Sequence, residues 1–150
     1  MICEGVIGKL EKGCGKNIQY VGIEWFERGK HILRKTLPSG EEIGIKPDRP
    51  LADGDILFED KDRIIAVKLL PCELINVKVS SITEMGRVCF ELGNRHLSLL
   101  ISENSVKCPY DEPTFEYLKK IGFECDKVFD SFAGFIECRA HGHHHGQADE

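Results

Sequence analysis

The chain has no run of apolar residues approaching the roughly 20 that a membrane-spanning helix requires, so no contact with a membrane is expected. It has no basic excess either: 20 Lys and Arg stand against 25 Asp and Glu, a formal net charge of -5. A nucleic-acid binder would show a basic face, so that class is not expected. There is no glycine-rich phosphate loop, no nucleophile elbow and no HExxH signature, and hence no catalytic constellation to support an enzyme. The seven cysteines, at 3, 14, 72, 89, 108, 125 and 138, include no CxxC pair, which excludes a zinc ribbon and a thioredoxin-like motif. The start, Met1-Ile2-Cys3-Glu4-Gly5, lacks the charged segment and apolar stretch of a signal peptide. An odd cysteine count without such a leader points to free thiols and a cytoplasmic protein.

What is present is enough apolar material, 41% of 150 residues, for one medium domain or two small ones. The first 70 residues read as short strands at 2–10, 20–26, 32–37, 42–46, 55–59 and 64–69, separated by the turn signals Gly13-Cys14-Gly15, Pro38-Ser39-Gly40, Pro47-Asp48 and Asp53-Gly54. Many short strands without a helical period predict a small all-β unit of packed sheets over residues 1–70.

The pattern changes near Pro71. Residues 73–79 alternate as a strand; Ser81-Ile82-Thr83-Glu84 matches a capping box, and Ile82, Met85, Cys89 and Leu92 then recur on one helical face. Gly93-Asn94 reads as the stop. Strands follow at 97–101 and from 105 to 108. A second helix opens at Asp111-Glu112-Pro113, carries Phe115, Leu118 and Ile121, and ends at Gly122. A last strand covers 123–129. The order β-α-β-β-α-β predicts a ferredoxin-like domain over residues 71–132. With both helices on one face, its open sheet face, or the loops around His96, should be apolar enough to join a second copy. Residues 133–150 read as a flexible tail.

That tail concentrates four of the six histidines in five residues, His141-Gly142-His143-His144-His145. A segment ending Gly146-Gln147-Ala148-Asp149-Glu150 has no apolar surface to fold around, and dense imidazole is a multidentate ligand for borderline-soft divalent ions. A purification tag is the bland alternative, but Gly142 breaks the run and an acidic end follows it. Cys138 with His141 is the nearest chelating pair of mixed type, and reads better as a strand-end cysteine beside an unrelated tail. His31 is isolated among charges and reads as a surface residue. Cys108 reads as core.

Gly93-Asn94-Arg95-His96 stands at the junction of the first helix and the next strand. Taken with Gly54-Asp55-Ile56-Leu57, Pro109-Tyr110-Asp111-Glu112-Pro113-Thr114, Ile23-Glu24-Trp25-Phe26-Glu27 and the His-rich end, it makes the chain resemble the UreE family, the nickel metallochaperones of urease maturation. The resemblance covers nearly the whole chain. It implies an N-terminal β domain that binds a peptide or partner and a ferredoxin-like domain that forms a two-fold homodimer. It also implies that His96 binds Ni²⁺ with its symmetry mate at the interface, with His141, His143, His144 and His145 as further ligands.

Where some members have a second His-x-His pair about fourteen residues beyond the motif, this chain has Tyr110-Asp111-Glu112, so that site is not carried over. Arg95 and Asn94 read as structural: Asn tolerates a left-handed turn, and Arg95 suits a carboxylate partner. The implied activity is delivery of nickel to the urease apoprotein, with a GTP-binding accessory protein as immediate partner. Nickel rests on the resemblance, since imidazole also suits Zn²⁺ and Cu²⁺. The rival from another class is a metal-buffering or protein-interaction module unrelated to urease, its tail a store.

Overall fold

A computed structural model describes residues 1–137. Among these residues no helix is long and apolar enough to cross a membrane. The chain is α+β and its described residues divide into two compact units, one formed by Met1–Cys72 with Phe129–Ala133, the other by Glu73–Val128 with residues 134–137.

The first unit contains β1 (Ile2–Glu4), β2 (Gly8–Lys9), β3 (Asn17–Ile23), β4 (Leu33–Thr36), β5 (Glu42–Lys46), β6 (Asp55–Glu59) and β7 (Arg63–Leu69). They form a three-stranded sheet in the order β1-β5-β4 and a four-stranded sheet in the order β2-β6-β7-β3. Strict alternation decides which face of β5 is buried: Ile43 and Ile45 are 1% and 0% exposed, while Glu42 and Lys46 face water. In β7 the alternation is lost, because Ile64, Ile65, Ala66 and Val67 are all buried. Both faces of that strand are covered. Ile65 and Val67 join the main core with Cys3, Val21, Ile23 and Ile45. Ile64 and Ala66 meet Ile56 and the partly buried Leu10, Cys14 and Ile18 in a second cluster.

The single strand expected over 2–10 is two. Gly5, at φ +79°, turns the chain between them, and the Val6 N–H turns to the Asp48 carboxylate at 2.9 Å. Asp55, at the start of β6, is fully buried. It accepts from both terminal nitrogens of Arg49 (3.0 and 2.9 Å), from Lys9 Nζ (3.3 Å) and from the Ala52 N–H (2.7 Å). Burial pushes its carboxyl upward, but these donors together hold it below the ordinary aspartate value. Phe132 is returned to this unit, 1% exposed, edge-on to Trp25 with centroids 5.4 Å apart.

The second unit contains β8 (Cys72–Lys78), α1 (Ile82–Asn94), β9 (Leu100–Ile101), β10 (Ser105–Pro109), α2 (Glu112–Lys120) and β11 (Glu124–Asp130), with strand order β11-β8-β10-β9. Ile75, Val77, Val106 and Cys108 of the sheet pack with Val88 and Leu92 of α1 and Leu118 of α2, all at 0% exposure. Complete burial of Val88 and Leu92 stabilises the docked helix by about 1.5–3 kcal/mol each.

Several expectations are corrected here. Ile82 is 90% exposed, so the buried stripe of α1 runs through Val88 and Leu92. Ser81 Oγ does cap the helix by accepting from the Glu84 N–H (3.1 Å), but the Glu84 carboxylate reaches Ser80, not Ser81. The sheet face opposite the helices is mixed rather than apolar: Leu74, Leu100 and Pro109 share it with Asn76, Lys78, Ser105 and Lys107. Lys78 faces Ser105 and Asn76 faces Lys107 across the ladder, and Lys78 pairs with Glu124 at 3.4 Å. Large exposed apolar side chains on these elements and beside them are Ile82 and Phe90 on α1, Phe129 at the end of β11, and Ile101 and Ile136. Residues 133–137, expected to open the tail, carry structure: Phe135 is 9% exposed, and Ile136 pairs antiparallel with Leu99 through two backbone bonds of 2.6 and 3.0 Å.

Candidate metal site at the end of the first helix

His96 is exposed and sits at the end of α1 in an unusual backbone state. Its φ is +57°, and among the described residues it is the sole non-glycine with positive φ. The helix runs through Asn94, Arg95 is its C-cap, and the closing bonds run from the His96 N–H to the Gly93 carbonyl (3.0 Å) and from the Leu97 N–H to the Leu92 carbonyl (3.3 Å). This pair of bonds is the Schellman closure, whose left-handed position is normally glycine. The same chain shows the normal solution in α2: there the left-handed residue is Gly122, at φ +97°, with bonds from Gly122 to Lys119 (3.1 Å) and from Phe123 to Leu118 (3.0 Å). The helix ends at Asn94, where the Gly93-Asn94 stop was expected, but the left-handed residue that closes it is His96. A bulky L-residue in this region costs about 1–2 kcal/mol per residue, and such strain clusters at functional sites.

The turn has a consequence for charge. A helix C-terminus carries partial negative charge from its unpaired carbonyls and favours a cation. The last turn of α2 meets this with Lys119 and Lys120, whereas the last turn of α1 contains no basic residue.

Behind the turn, Arg95 leans onto α2. Its Nε donates to Thr114 Oγ1 (3.0 Å), and its guanidinium lies 5.1 Å from the centroid of the Tyr117 ring. Thr114, 1% exposed, donates its hydroxyl to Asp111 Oδ2 (2.6 Å), and the same carboxylate caps α2 by accepting from the Thr114 N–H (3.2 Å). Tyr117 donates to Glu91 Oε2 (2.8 Å), and that bond, with burial second, raises its phenol. The expected carboxylate partner of Arg95 is thus reached through a hydroxyl. Nothing in the residue pattern singled out Thr114 or Tyr117; the capping spacing Asp111-x-x-Thr114 was the available signal.

His31 is exposed. Cys108 is in the core at 0% exposure, its thiol pushed up to about 12 by burial, with Asp111 and Cys125 adding to the shift. Among the described residues no three His, Cys, Asp or Glu side chains converge where a metal ion fits. His141, His143, His144, His145 and Cys138 lie outside the described residues. In the first unit a groove of about 480 Å³ crosses the three-stranded sheet, lined among others by Met1, Ile2, Ile32 and Gly44.

An exposed histidine thus closes a helix of this α+β chain in a strained turn, and comparison with known proteins gives the family that the chain belongs to. The N-terminal domain model of the UreE urease accessory protein family matches residues 4–70, and the C-terminal domain model of the same family matches residues 72–150. The chain belongs to the UreE family of urease accessory proteins, which are accessory chaperones rather than enzymes.

A urease accessory protein UreE from Bifidobacterium longum subsp. infantis is 45% identical over 121 residues, covering 81% of this chain but 55% of that longer protein. The UreE of Flavobacterium johnsoniae is 37% identical over 134 residues, covering 87% of this chain and 81% of the relative. A Helicobacter pylori UreE is 37% identical over 132 residues, with 83% and 78% covered.

Proposed function

We propose that this protein is a cytoplasmic nickel chaperone that takes up Ni²⁺ as cargo and hands it to the urease apoprotein, with a GTP-binding accessory protein as immediate partner. The observation that carries the reading is the exposed imidazole of His96 fixed in a left-handed turn at the negative end of α1. A single imidazole per chain makes a weak site. A two-fold axis beside it supplies a second imidazole, because symmetry duplicates any nearby ligand. Phe90 and Ile82, exposed on the same helix, are the apolar surface we assign to that homodimer, in place of the mixed open sheet face.

A site of two imidazoles is under-coordinated and releases what it binds, as a delivery protein must, whereas a closed four-ligand cage retains it. His141, His143, His144 and His145 complete the coordination or hold further ions. Zn²⁺ and Cu²⁺ compete for the same donors in vitro.

We further propose that residues 71–132 are the metal-binding and dimerisation domain, in the ferredoxin-like arrangement that the strand order β11-β8-β10-β9 supports. Residues 1–70 then form the partner-binding domain, whose groove across the three-stranded sheet fits an extended peptide, and the residues from 133 on form the His-rich end.

Two variants test the reading by Ni²⁺ calorimetry and reconstituted urease activation. His96→Ala should abolish the site shared by the dimer while residual ions bind elsewhere. Truncation after Arg139 should lower capacity but leave one site per dimer. The His96 variant should damage activation more; a fully active His96→Ala beside a dead truncation would overturn the assignment.

A further inference from the structure

We propose that Arg95, held by Thr114 and Tyr117, is a positioning residue for the His96 imidazole. The inference rests on the metal-site reading of His96 and deepens it. Backbone bonds from residues 96 and 97 tie residue 96 to its own helix. Those bonds close the turn, but the left-handed state they require is strained for histidine. The side chain next to it supplies a second restraint, against a different helix.

Three residues of α2 and its cap, at spacings of three, receive Arg95 or support its receivers: Asp111, Thr114 and Tyr117. The chain of donors is ordered. Arg95 Nε gives to Thr114 Oγ1, and Thr114 gives its own proton to Asp111 Oδ2. Because Thr114 is 1% exposed, a lost partner there is not replaced by water, so the relay is worth more than a surface contact. Tyr117 adds the ring under the guanidinium and is itself fixed by Glu91, one turn before Arg95 on α1.

The arrangement does two things for a cation carried at residue 96. It stops the last turn of α1 from fraying, so the imidazole does not have to be ordered when the metal arrives. It also draws a permanent positive charge toward α2. A guanidinium released from Thr114 would be free to swing toward the bound dication and repel it. Lysine does not substitute, because it offers neither the fixed fork nor the flat face.

The test uses the full chain and Ni²⁺ alone. Binding is followed by calorimetry, and the His96 side chain by NMR of histidine-labelled protein, its resonance assigned by loss in His96→Ala. Thr114→Val keeps the shape and removes the hydroxyl; Thr114→Ser keeps the hydroxyl. Thr114→Val should weaken the His96-dependent site by about tenfold, the scale of outer-shell effects on metal sites, and shift the metal-free His96 resonance toward that of an unstructured histidine. Thr114→Ser should restore both. Arg95→Lys, whose side chain is on the surface, gives the same weakening without touching the core, so a misfolded Thr114→Val would not spare the proposal. If Arg95→Lys and Thr114→Val bind Ni²⁺ as the parent does while His96→Ala does not, the positioning role is wrong and the His96 site stands. If His96→Ala itself binds as the parent does, the site assignment fails and the positioning role fails with it.

Discussion

Replacing His96 by glycine should make the protein more stable and less useful. At φ +57° an L-side chain costs about 1–2 kcal/mol relative to glycine, with histidine among the milder cases. Glycine gives back about 0.4–1 kcal/mol of this through the extra freedom of the unfolded chain. His96→Ala keeps the torsional penalty and loses only the imidazole. His96→Gly should therefore exceed His96→Ala by about 0.5–1 kcal/mol, which raises the midpoint of a unit of this size by about 2–8 °C. Both helices lie in the second unit, so circular dichroism at the helix band during thermal unfolding, in chelator, reports the relevant transition. The same reasoning runs in reverse at the end of α2. Gly122 has φ +97°, and a Cβ built there meets no atom within 4 Å, so Gly122→Ala is destabilising by torsion alone, by about 1 kcal/mol or more. A His96→Gly protein no more stable than His96→Ala would show that the turn is not strained, and the argument from strain to function would fall.

Asp55→Asn removes a buried charge from two cations that can return to water; it should destabilise the first unit by about 2–3 kcal/mol, the scale of hydrogen bonds to a charged group. Trp25, the chain's one tryptophan, provides the fluorescence signal for that unit. The folded Asp55 carboxyl is held below its ordinary value, so its stabilisation is present above about pH 4 and is lost as pH falls through the folded value. The gap between parent and Asp55→Asn should shrink on acidification, and a gap constant from pH 7 to 3 would refute the sign. Cys108, with its thiol raised to about 12, should stay unmodified by thiol reagents at pH 8 in the folded protein, as read by peptide mass analysis; rapid labelling without unfolding would show that the core of the second unit opens locally.

Periodicity made much of this fold legible. Ile43 and Ile45 in β5, and Phe115, Leu118 and Ile121 in α2, announce their buried faces because one side of each element meets water. The pattern was weaker where both sides are covered, as in β7, and misleading at Ile82, an apolar residue in helical register that the core does not reach. The stop signals marked both helix ends, but at α1 they did not mark the residue that makes the turn. Gly93 and Asn94 are both residues that tolerate a left-handed turn, yet the turn falls on His96, because a helix ends where its closing bonds can form and not at the first permissive residue. The return of Phe132 to Trp25 and the bridge from Ile136 to Leu99 are contacts between distant positions, for which a local pattern has no term.

The two helix ends of the second unit are a comparison made within one molecule. They close with the same pair of backbone bonds, one over glycine and one over histidine. Had selection acted on stability alone, glycine would stand in both. At α2 the turn leads directly into β11 and its residue has no further task; there the unstrained choice was kept, and lysines sit at the negative helix end. At α1 the strained choice carries an exposed donor, the last turn lacks basic residues, and the neighbouring arginine is tied to α2. Each departure is individually small. Under the proposed metal-site reading, they leave a place where a dication would meet a partial negative charge and an exposed imidazole, with one such histidine per chain among the described residues of this turn. That combination suits a protein whose cargo must move on.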